Sequence, residues 1–122
     1  MITTPIGKAF ARTENQLTLL IAKFQTKEAM EIVNENYGIR TTLEKIKSHQ
    51  LCMKEFNLML WNNEESFSQN FLKEYLHHTA MIMQQLRQIR EADNRTLTLD
   101  LIDGANEHLK LINKEIVEAQ DL

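Results

Sequence analysis

Four histidines and one cysteine are the side chains of this chain whose chemistry most invites a functional reading: His49, His77, His78, His108 and Cys52. On helical spacing His78 lies at the edge of one apolar stripe and His108 inside another. They sit at similar distances on either side of Asn94, so an antiparallel hairpin would hold them at similar heights. Glu74 falls one turn below His78, and Glu107 adjoins His108. Two histidines and a carboxylate are a donor set for a transition metal, which makes His78, His108 and Glu74 the metal or ligand candidates. Carboxylate-bridged di-metal bundles need Glu-x-x-His on each of two helices and a glutamate on each of two others. Only Glu74-Tyr75-Leu76-His77 has that spacing, and His77 points away from its stripe. Metal binding is therefore the second reading of this chain.

The other chemistries find less support. Histidine phosphotransfer bundles carry lysine three residues after the histidine and glycine at four; none of these histidines has both. Cys52 lies in an apolar run, where a thiol is usually inert packing. His49 is one turn away, but nothing supplies an orienting acid. There is no glycine-rich phosphate loop and no zinc-type Cys/His spacing. The expectation is a non-enzymatic protein with no cofactor.

The elements that position these residues are helices. Three glycines and one proline occur in 122 residues, where average usage would give about fourteen together. Turns consume these residues, so their scarcity implies long elements. The hydrophobic fraction of 43% and charged fraction of 25% are those of an ordinary globular domain, and the length suits a single domain over 1–122. Thr4-Pro5 reads as a capped start with proline at the first helical position. Ile6, Phe10, Leu17, Leu20, Ile21 and Phe24 follow on one stripe, and Ala29, Met30, Val33 and Tyr37 share a rotated one. The change at 25–27, with Thr26 as a cap, predicts a kinked or split first helix, 5–24 and 27–37. Gly38 should end it as a left-handed cap. Thr41-Thr42-Leu43-Glu44 reads as a capping box opening a helix over 42–61. Asn63 should cap a third helix over 64–92, with Phe67, Phe71, Leu72, Tyr75, Leu76, Ile82, Met83, Leu86 and Ile89 on its apolar half. A polar connection at 92–95 leads to a last helix, started at Thr96 or Thr98, with Leu97, Leu101, Ile102, Ala105, Leu109, Ile112 and Ile116 inward. The predicted fold is all-α, an antiparallel up-down four-helix bundle.

One helix does not suit that bundle as a monomer. From Leu51 to Trp61, eight of eleven residues are apolar and they point in every direction, whereas each helix of a four-helix bundle keeps an outer face. Either the N-terminal segment covers the excess or a partner does, since exposed apolar patches mark interaction sites. Met53, Phe56, Leu58, Met59 and Trp61 are the candidate partner-binding residues, with a homodimer the expected assembly. The formal charge of −3 argues against a nucleic-acid binder. Arg87, Arg90 and Arg95 read instead as cations at a helix C-terminus. No apolar run is long enough to cross a membrane, and Met1 to Phe10 lacks the features of a secretory signal, so the expected location is cytoplasmic.

Overall fold

The structure, a computed structural model, describes residues 1–89 and 96–120. Among them are five α-helices, one 3₁₀ turn and no strand: α1 Pro5–Lys23, α2 Lys27–Glu35, α3 Tyr37–Asn63, the turn Glu64–Ser66, α4 Gln69–Ile89 and α5 Thr96–Gln120. The connection at 92–95 and the side chains of Arg87, Arg90 and Arg95 lie outside the described residues.

The split in the first helical region is present, and its cause is local. Thr4 accepts the Gly7 N–H at 3.1 Å with Pro5 at the first helical position. Thr26 accepts the Ala29 N–H at 3.2 Å and restarts the chain as α2, with Glu28 in its first turn. Each capping hydroxyl satisfies an N–H that the helix itself cannot. The α1 stripe is buried as its spacing requires. In α2 the inward residues are Ala29 and Ile32 with Val33 half-buried, whereas Met30 and Tyr37 are exposed. The rotated stripe read from sequence was therefore only partly the packed one.

The boundary before α3 is corrected. Gly38 has no positive φ and lies inside the first turn of α3. Asn36 is the junction: extended at φ −116° and ψ 102°, it ends α2 and caps α3 by accepting the Ile39 N–H at 3.1 Å. Thr41 donates its hydroxyl to the Tyr37 carbonyl at 2.8 Å, a back-bond within a helix already running, and Thr42 is buried. The Thr-Thr-Leu-Glu motif is thus not a capping box.

The start of α4 is corrected too. Asn63 makes no capping bond, and Ser68 caps the helix by accepting the Phe71 N–H at 3.0 Å. Glu64 reaches instead to the start of α1. Its carboxylate accepts the Thr3 N–H at 3.0 Å, the Thr3 hydroxyl at 2.9 Å and the Thr4 hydroxyl at 2.8 Å. Burial raises its pKa, but these hydrogen bonds outweigh it and hold the carboxyl at about 2. An anion at a helix N-terminus also meets the positive end of the helix dipole.

Gly7 makes this clasp possible. A Cβ there would run into the Glu64 carboxylate and lie 2.7 Å from Ile2 Cγ2 and 2.9 Å from Thr4 Oγ1. At an open helix position Gly→Ala gains up to about 1 kcal/mol. Gly7→Ala should instead lose about 1 kcal/mol in urea unfolding, because displacing Thr4 and Glu64 forfeits the cap. Gly104 is different: a Cβ there meets only Lys23, at ordinary contact distances of 3.7 and 3.9 Å, so no close helix approach requires it.

The long helices share one apolar cluster. Helix α1 packs on α3 and α5 and more lightly on α4; α4 packs on α3 and α5; the short α2 touches α3 and α5. Leu72, Leu76, Ala80, Met83 and Leu86 of α4 meet Ile102, Ala105, Leu109, Ile112 and Ile116 of α5 in that core. Across the surface of the α1–α5 contact, Arg12 binds Glu115 through two bonds of 2.8 Å.

Candidate protein-binding face

The apolar run of α3 resolves into two sides. Ile39, Ile46, Met53 and Leu60 point into the core, each at most 1% exposed. Met53, expected at the partner-binding surface, is therefore core. It lies seven residues from both Ile46 and Leu60, close to two turns of helix, which places all three on one side. Phe56 is half-buried. Its ring sits 5.9 Å from Phe67, 5.5 Å from Phe71 and 5.5 Å from Tyr75, all near edge-on, the arrangement aromatic quadrupoles favour. Phe56 thus supports the contact with α4 rather than standing free.

The opposite side is open. Leu51 is 59% exposed, Leu58 61%, Met59 54% and Trp61 58%. The N-terminal segment does not cover them. Its ammonium binds the Trp61 carbonyl and its threonines bind Glu64, which fixes the segment to the end of α3 by main-chain and polar contacts. The Trp61 indole remains outside.

Beside this face, between α3 and α4, lies an open groove of about 610 Å³ lined by residues including His49, Cys52, Tyr75 and His78. Cys52 is exposed and is not the packed thiol its apolar neighbours suggested. His49, passed over as a site residue, is 8% exposed; its spacing from Ile46 and Met53 was the signal that it faces inward. Its Nε2 lies 2.6 Å from Thr79 Oγ1, and that hydroxyl donates to the Tyr75 carbonyl at 2.8 Å. Burial, then the neighbouring His78, lowers the His49 pKa to about 4.

That shift has a stability consequence of definite sign. Between pH 6.5 and about 4 the unfolded chain binds a proton that the folded chain refuses, so stability is complete above 6.5 and is lost as pH falls toward 4. With screening by the open groove the loss should be about 1–2 kcal/mol. Urea midpoints at pH 7.5 and 4.5 should show it, and His49→Gln should remove that part of the pH dependence.

The histidines proposed as metal ligands do not converge. His78 is exposed on α4 and meets His49 of α3 at 5.5 Å between ring centroids. His108 is buried between α5 and α1, donating from Nδ1 to Gln16 Oε1 at 2.8 Å. Its pKa is lowered by burial and then by Lys23. Its Nε2 has no hydrogen-bond partner. Glu74 is exposed. Among the described residues no three His, Cys, Asp or Glu side chains form a group able to hold a metal ion.

No family model, curated protein or solved structure shows significant similarity to this chain, which leaves the exposed α3 face as the feature that bears on function.

Proposed function

We propose that this protein is a small non-enzymatic protein-binding module, an adaptor, chaperone or regulatory subunit, that works as a homodimer through the outer face of α3. Its scaffold on this reading is an antiparallel up-down four-helix bundle of α1, α3, α4 and α5, with α2 as a corner piece.

The observation that carries the proposal is the concentration of Leu51, Leu58, Met59 and Trp61 within three turns of one helix, each more than half exposed. Scattered apolar residues on a surface are ordinary; a contiguous set of large ones marks an interface. Trp61 is of the type that anchors binding hot spots, and Met59 adapts its shape to what it meets. A stable interface needs roughly 800 Å² from each partner, so Leu51 and Leu58 would lie at its centre, with Trp61 and Met59 flanking them on either side. No helix among the described residues is long and apolar enough to cross a membrane, and the net charge of −3 favours a protein over a nucleic-acid partner. A cytoplasmic setting suits both.

Native mass spectrometry of the untagged protein tests the proposal. Twice the 14.3 kDa chain mass is expected at micromolar concentration, and a bare monomer at every concentration overturns it.

A further inference from the structure

We infer that the two copies pair through α3 in parallel, around a two-fold axis running along the helix; this rests on the dimer proposed above and specifies its geometry. The charges flanking the exposed leucines select that direction. At 100° per residue Leu51 and Leu58 lie within about 20° of one another on the outer face. Lys47 and Lys54 fall along one edge of that line, about 20–60° away, and Glu44 and Glu55 fall along the other. All four are exposed, and none belongs to an ion pair among the described residues. The face is therefore an apolar line with a basic margin and an acidic margin.

Symmetry decides what those margins meet. A two-fold axis parallel to the helix exchanges left and right, so the basic margin of one copy lies against the acidic margin of the other. Lys54 then stands level with Glu55 of the second copy, and Lys47 within one turn of its Glu44. A two-fold axis perpendicular to the helix reverses its direction but keeps the margins in place. Lysines then face lysines and glutamates face glutamates. Opposite charges across an interface select register and orientation, and like charges exclude the alternative. The same distinction sets strand direction through the flanking positions of coiled coils. Helix α3 thus presents a surface complementary to its own copy in one direction only.

Spin labels test the direction independently of the dimer itself. Lys45 and Asn63 lie on the same side of α3, off the proposed contact, and 18 residues of helix separate them by about 27 Å. Single-cysteine variants Lys45→Cys and Asn63→Cys are made in a Cys52→Ser background, and their mass is checked first. Double electron–electron resonance is then measured within each labelled dimer and in mixtures of the two. Parallel pairing gives short distances between like labels and long ones between unlike labels; the reverse pattern overturns the inference while leaving the dimer standing. A monomer overturns both. A second arm uses charge alone: Lys47→Glu with Lys54→Glu should weaken the dimer about tenfold, and adding Glu44→Lys with Glu55→Lys to the same chain should restore it. Failure of the fourfold variant to recover, while its helix content matches wild type, overturns the pairing.

Discussion

Met53→Asp will leave little folded protein at 25 °C. Met53 is fully buried, in contact range of the Thr79 hydroxyl through its sulfur at 3.8 Å, and surrounded by the common core. An aspartate there faces two unfavourable choices. Ionised, it is a buried carboxylate without a cationic partner; protonated, it raises its pKa at the expense of stability. The lost methionine packing adds the cost of a cavity, about 2–5 kcal/mol for a truncation of this size. The total exceeds about 5 kcal/mol, which is the lower end of the whole stability of a domain. Circular dichroism should show loss of helix, and urea unfolding should lose its cooperative transition. Retention of a wild-type midpoint would place Met53 at the surface and reverse the assignment of the two sides of α3.

Leu58→Asp, five residues along the same helix, should do the opposite. Leu58 is 61% exposed, so an aspartate there stays hydrated and the monomer keeps its helix content, with a stability change within about 0.5 kcal/mol. In the proposed dimer it would bring two carboxylates together at the two-fold axis and remove two central leucines. Loss of a central anchor costs at least about 2 kcal/mol, and juxtaposed like charges add to that, so the dissociation constant should rise at least 100-fold. Sedimentation equilibrium across a dilution series reads this directly. Met59→Asp should behave in the same way with a smaller change, since Met59 lies off the leucine line. A variant that unfolds would show that the outer face supports the monomer; a variant that still dimerises would place the interface elsewhere. Set beside Met53→Asp, the pair separates the structural side of α3 from its binding side.

Much of this molecule was legible in the residues alone. Its helical character followed from the near absence of glycine and proline. The break after Phe24 followed from a change in the direction of the apolar stripe together with a threonine able to cap what came next. These features are local: a hydroxyl and the N–H three residues on lie within one turn, so sequence spacing and spatial distance coincide. The excess of apolar side chains in α3 was also visible, because helical periodicity alone shows that they exceed one face.

Tertiary packing decided the rest. Asn36, Gly38 and Thr41 were all plausible boundary residues, and only the path of the chain into α3 selected Asn36. Glu64 looked like a first-turn acid of its own helix, but its partners, Thr3 and Thr4, are about sixty residues away, a distance that spacing cannot span. His49 and His108 drew their partners, Thr79 and Gln16, from other helices, and so the histidines separated where a hairpin argument had brought two of them level. Periodicity shows that α3 has apolar residues on both sides; it does not say which side the core takes. The packing of α1 and α4 against α3 answered that, burying Met53 and Leu60 and leaving Leu51, Leu58, Met59 and Trp61 in solvent.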